Sequence, residues 1–141
     1  MIIAIDFDGT LVDHEYPRIG KEKLFAFETL KLLLKADHRL ILWTIRSGKE
    51  LDEAVEFCSK KGVEFYAVNR NYPEEVFVEG AFSRKINADL FIDDRNLGGF
   101  LGWSAIYQTL CQTGVLRDEI NEHNYEHNER RKGFFARIFG F

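Results

Sequence analysis

An α/β fold, with a mainly parallel sheet carrying helices on both faces, is predicted by two features of this 141-residue chain. Apolar runs of strand length alternate with segments of helical periodicity. Three of those runs also end in acids or a hydroxyl, at Ile5-Asp6, Trp43-Thr44 and Ile92-Asp93. Ligands of such sheets bind beyond the carboxyl ends of the strands, so the second feature says where chemistry would gather as well as how the chain folds.

The elements follow in order. MIIAI at the start is β-branched and apolar on both faces, the signature of a buried strand. Residues 11–20 hold Pro17 and Gly20 and read as a loop or flap. A helix is expected over 21–35, with Leu24, Phe27, Leu30 and Leu34 on one face. RLILWT (39–44) is a second strand, and Ser47 with Glu50 three residues on fits a capping box that opens a helix closing at Lys60-Lys61-Gly62. VEFYAV (63–68) and ADLFIDD (88–94) supply a third and a fourth strand, and a last helix is expected over 98–111. The stretch 76–82 fits no single element. The boundaries give a catalytic domain over 1–116 and a charged, then aromatic, tail over 117–141.

Composition narrows the class. With 45% hydrophobic residues the chain can bury one real core. Cys58 and Cys111 lie far apart without a metal-ligand pattern and read as reduced, small hydrophobic residues of a cytoplasmic protein. The leading apolar run is too short for a signal peptide, and no segment has transmembrane length. A net charge of -4 does not indicate nucleic acid as a partner, although it leaves a local basic site open.

Asp6 and Asp8 flank one phenylalanine, and Asp93 and Asp94 are adjacent. If their strands are neighbours, four carboxylates meet at one rim, which is unfavourable without a counter-ion. Oxygen-rich clusters suit a hard cation, and Mg²⁺ is the one that keeps waters while binding a phosphate. Acids after strands are also common as plain surface turns. In the tail, His123 and His127, with Glu119 and Glu126 near, have a spacing that permits a metal pair, against the plainer reading of a solvated helix.

Four motifs in order resemble the haloacid dehalogenase-like superfamily, whose commonest members are Mg²⁺-dependent phosphatases. DFDGT (6–10) fits the first motif, Ile41 to Thr44 the second, Lys85 the third, and FIDD (91–94) the fourth. The resemblance covers about residues 1–96 and implies a three-layer Rossmann-like fold. It implies a Mg²⁺-dependent phosphoester hydrolase working through an aspartyl phosphate. Asp6 would be the nucleophile and Asp8 the acid and then the base, with its backbone carbonyl on the metal. Asp6 and Asp94 would bind Mg²⁺ directly, while Asp93 would act through water or by orienting its neighbours. Thr44 and Lys85 would hold the phosphoryl group, with Arg46 and Arg95 as further candidates for phosphate or substrate. Asp93-Asp94-Arg95 is similar to the phosphatase half of polynucleotide kinase/phosphatases, which makes a phosphorylated nucleic-acid end a second substrate class. Two further functions fit the same motifs: a phosphotransferase, and a non-catalytic metal- or phosphate-binding regulatory module.

Neither 11–43 nor 45–84 has room for the large cap domain that many members carry. The expected site is therefore open, suited to a bulky phosphorylated substrate or completed by a second subunit of a homo-oligomer. The tail RRKGFFARIFGF is expected to dock on the domain itself, ahead of a dimer contact or a membrane surface.

Overall fold

A computed structural model of the chain describes residues 1–117. The expected tail beyond Arg117, including His123, His127, Glu119, Glu126 and the aromatic terminus, lies outside the described residues. The sheet, the first two helices and the motif residues from Asp6 to Arg95 belong to the compact unit Met1–Tyr107.

Four strands, β1 (Ile2–Ile5), β2 (Arg39–Leu42), β3 (Ala67–Val68) and β4 (Leu90–Ile92), form one sheet in the order β3-β2-β1-β4. All neighbours are parallel, and Ile5 sits opposite both Leu42 and Ile92. The ladder runs one step further at its carboxyl end, with Asp6 N–H donating to Ile92 O, Trp43 N–H to Ile5 O and Asn69 N–H to Leu42 O. Asp6, Trp43 and Asn69 thus stand level at one rim, beside the first residues after β4, as the sequence pattern requires.

Strand alternation sends Ile3, Ile5, Leu40 and Leu42 to one face. Helix α1 (Ala26–Lys35) and helix α2 (Gly48–Lys60) cover that face, and they meet through Phe27 and Phe57, whose ring centres lie 5.8 Å apart, with Phe7 set edge-on to Phe57. On the opposite face Ala4, Ile41 and Ala67 pack with Ile86, and Trp43, Tyr66 and Phe91 are only partly covered. Helices are expected on both faces of the sheet, but across this face an irregular stretch, 69–89, carries the chain from the β3 edge to β4. The parallel α/β sheet is as expected. Within this cluster the second covering layer is not helical.

Other boundaries move for local reasons. The helix expected from Lys21 begins at Ala26, because Lys21 and Lys23 pair with the flap through Asp13 N–H to Lys21 O and Lys23 N–H to Leu11 O. Phe25 then turns through φ 67 into the helix. Leu24 is left exposed, and the buried face reads Ala26, Phe27, Thr29, Leu30 and Leu33. Ser47 precedes α2 in extended conformation but makes no side-chain cap hydrogen bond, so the capping box is not formed. Helix α3 (Trp103–Gln112) starts only after Gly98, Gly99 and Gly102, all at positive φ, where glycine avoids the steric cost of a Cβ.

Candidate active site

The rim beyond β1 and β4 gathers Asp6, Asp93 and Asp94, each half-buried, with one carboxylate oxygen from each within 4.8 Å of the others. Thr10 organises them. Its fully buried hydroxyl donates to Asp6 Oδ2 at 2.8 Å and accepts from Asp94 N–H at 3.0 Å. The indole of Trp103 fixes Thr10 in turn, donating Nε1–H to Thr10 O at 2.7 Å. The sequence places Thr10 in the DFDGT motif but does not single out Trp103. A buried tryptophan needs an acceptor for its N–H, yet nothing in the sequence says which one.

Gly9 is the other fixed point. It sits at φ +88, and a Cβ there would lie 2.2 Å from Asp94 Oδ2 and 2.7 Å from Asp94 Cγ. The glycine therefore permits both the turn out of β1 and the close approach of the Asp94 carboxylate. Asp93 is held differently, with Oδ1 accepting from Arg95 N–H and its backbone O from the Asn96 side chain.

The electrostatics follow from the crowding. Burial is the largest cause pushing the Asp6 carboxyl up to about 7; Asp93 and Asp94 add to the rise, and the Thr10 hydrogen bond opposes it. Asp94 Oδ1 is buried with no hydrogen-bond partner. A carboxylate oxygen withdrawn from water without a partner is costly. Three converging carboxylates with one orphaned oxygen are the donor set a hard divalent cation takes, so these residues fit Mg²⁺.

Asp8 does not join the cluster. Its two oxygens accept from Arg46 Nε and Nη2, both at 2.7 Å, and the pair is buried. Arg46 is also bonded to Pro17 O, Arg18 O and, at 3.4 Å, Glu50 O, so all five of its donors are engaged on the chain itself. Its guanidinium lies between Phe7 and Tyr16, 5.0 and 5.2 Å from their ring centres. Arg46, expected to hold phosphate, instead ties Asp8 to the 11–20 flap. The partners are 38 residues apart in sequence, so no local pattern announces the pair.

Thr44 stands at the rim as expected. Its N–H donates to Asn69 Oδ1 at 2.8 Å and its hydroxyl oxygen accepts from Arg46 N–H, which leaves the hydroxyl proton to offer. Lys85 is exposed, with Nζ 5.7 Å from the centre of the Phe91 ring, and has no ion pair among the described residues. The Arg95 side chain is exposed beside the acid pair. Both cysteines are free, Cys58 buried and Cys111 partly so. No helix among the described residues is long and apolar enough to cross a membrane.

No protein-family model matches the chain. No curated protein matches it either. Among solved structures, a conserved protein from Bacteroides thetaiotaomicron is 58% identical, with a TM-score of 0.75 over 80% of this chain and 91% of that one.

Proposed function

We propose that this chain, which belongs to the same family as that conserved Bacteroides protein, is a Mg²⁺-dependent phosphomonoester hydrolase of the haloacid dehalogenase-like type. The observation that carries this reading is the meeting of Asp6, Asp93 and Asp94 around the orphaned Asp94 oxygen. Asp6 follows the inner strand β1, and its Oδ2 accepts from the Thr10 hydroxyl. A carboxylate so placed serves as a nucleophile: an oxygen of Asp6 bonds to phosphorus as the ester P–O bond breaks. The leaving oxygen takes up a proton, and water then attacks phosphorus to release Asp6 and inorganic phosphate.

Asp6, Asp94 and, through water or orientation, Asp93 would hold the metal, which when bound lowers the repulsion between the anionic nucleophile and the anionic ester. Thr44 offers its hydroxyl proton to a phosphoryl oxygen. Lys85, long and exposed, would bring a compensating charge. Asp8 is the proton donor to the leaving group and the base toward water. To act, it must release one oxygen from Arg46, which makes Arg46 a positioning residue and couples Asp8 to the flap through Pro17 and Arg18.

The test is phosphate release from an activated aryl phosphate by the purified full chain, with and without Mg²⁺. Release that depends on Mg²⁺ and disappears in Asp94→Ala supports the reading. Absence of turnover with the aryl ester and across a broad panel of phosphomonoesters contradicts it.

A further inference from the structure

Beside the rim, on the β3 side, lies a cavity of about 110 Å³ whose lining includes Asn69, Phe77, Phe82, Ser83, Arg84 and Ile86. It joins the candidate active site through Asn69, whose Oδ1 accepts from Thr44 N–H. We propose that this cavity receives the far end of the leaving group of the phosphoester, and that this end is the heteroaromatic base of the nucleoside that departs from a nucleoside monophosphate. The proposal rests on the phosphohydrolase reading and adds the substrate class.

Three properties of the cavity point to such a ring. Its walls include two phenylalanines, each about half exposed, and a planar ring gains by stacking on aromatic faces. The Arg84 guanidinium lies 5.3 Å from the centre of the Phe77 ring, a second planar surface that carries charge. The unused polar groups are donors. Asn71 and Glu75 satisfy one another, with Asn71 N–H on Glu75 Oε2 and Asn71 Nδ2 on Oε1. Asn71 Oδ1 accepts from Asn87 N–H, and Arg70 is engaged by the carbonyls of Val68, Pro73 and Glu75. Asn69 Oδ1 is taken by Thr44, and Ser83 Oγ already accepts from Lys85 N–H. What remains to offer is the Asn69 amide N–H₂, the Ser83 hydroxyl proton, the Arg84 fork and the Nη2 end of Arg70, whose Nε and Nη1 alone are engaged. Those match a ring rich in acceptors, such as guanine with its O6 and N7.

Length selects among phosphoesters. Asn69 is level with Asp6 but two strands away, roughly 10 Å at ordinary strand spacing. A phenyl phosphate carries its ring directly on the ester oxygen and cannot reach from Asp6 into the cavity. A ribose between phosphate and ring supplies the missing length. A free nucleotide and the phosphorylated end of a strand share this chemistry.

The test is direct binding to the full-length Asp6→Asn protein in Mg²⁺, by calorimetry, with guanosine 5′-monophosphate, ribose 5-phosphate, phenyl phosphate and a 5′-phosphorylated dinucleotide. Stacking of one base on aromatic rings is worth about fivefold to a hundredfold in affinity. Guanosine monophosphate should therefore bind at least about fivefold tighter than ribose 5-phosphate, and Phe82→Ala and Arg84→Ala should each shrink that excess. The dinucleotide arm assigns the source, a strand end if it binds tighter than the mononucleotide and a free nucleotide if weaker. Equal binding of the nucleotide and ribose 5-phosphate, or an excess that survives both substitutions, overturns the pocket. If the wild-type protein still hydrolyses the aryl phosphate in that case, the pocket alone has failed. Without hydrolysis of the aryl phosphate or of any ester in a broad phosphomonoester panel, the phosphohydrolase reading, and the pocket with it, falls.

Discussion

The two sides of the sheet's carboxyl rim differ in how completely their polar groups are engaged. On the β1–β4 side almost every group has a partner: Thr10 bonds Asp6 and Asp94, Trp103 bonds Thr10, and Asp8 is locked to Arg46. Asp94 Oδ1 is the buried exception. On the β3 side the walls are irregular chain, aromatic rings stand half exposed, and donors are left over. Under the proposed function, the rigid side with its one unsatisfied oxygen would hold the cation and the reacting centre. An open side with spare donors is built to discriminate among ligands. Substitutions that disturb one side and spare the other separate these two roles.

The largest effects belong to the rigid side. Asp6→Asn removes the nucleophile, so phosphate release should fall to background while the fold and the preference for nucleotide over ribose 5-phosphate persist. Gly9→Ala sets a methyl against Asp94 in a backbone conformation that disfavours any side chain. Misplacing the acid pair by even about 1 Å should cost a hundredfold or more in turnover, and circular dichroism should show the fold retained.

Arg46→Ala leaves the Asp8 carboxylate buried and unpaired, a loss of about 3–5 kcal/mol in stability, measurable by urea unfolding. Arg46→Lys keeps the charge but not the bidentate fork. It should recover part of the stability and shift the pH profile of kcat, because the restraint on Asp8 changes. A purely structural Arg46 would leave that profile unmoved.

A smaller effect is read in metal-free protein. The folded Asp6 carboxyl is pushed up from 3.8 to about 7, so between these values the folded state binds more protons than the unfolded one. Stability therefore falls as pH rises through this window and levels off above about 7. Asp6→Asn lacks the titrating group. Its Tm should exceed that of wild type above pH 7 and approach it toward pH 4, and Mg²⁺ should raise the Tm of wild type more than that of the variant. An identical Tm difference at every pH would remove burial of Asp6 as the cause.

The rigid side is legible in the sequence and the open side largely is not. MIIAI and RLILWT are apolar on both faces, a pattern that central parallel strands impose, and they and FIDD lead into carboxylates or a hydroxyl at the rim. VEFYAV reads as a strand of equal length, but only Ala67–Val68 are paired, because an edge strand has a single neighbour to define it. Lys21 to Phe25 continue the helical pattern, yet backbone groups of Lys21 and Lys23 are claimed by Asp13 and Leu11 of the flap. The Asp8–Arg46 pair and the Trp103–Thr10 bond join residues far apart in sequence, and periodicity cannot report such partners. The cavity walls come from 69–86, where no period exists to read.

The central claim is that Asp6 attacks phosphorus, and the most direct measurement is the mass of the intact protein after brief exposure to an activated aryl phosphate with Mg²⁺. Asp8→Asn is the variant to use, since its nucleophile is intact and its proton-transfer group is gone. Loss of acid–base help slows hydrolysis of the intermediate by about a hundredfold to ten-thousandfold, enough for it to accumulate. The account predicts one phosphoryl adduct that peptide mapping assigns to Asp6 and that is absent from Asp6→Asn. An adduct on another residue, or one that persists in Asp6→Asn, would contradict it.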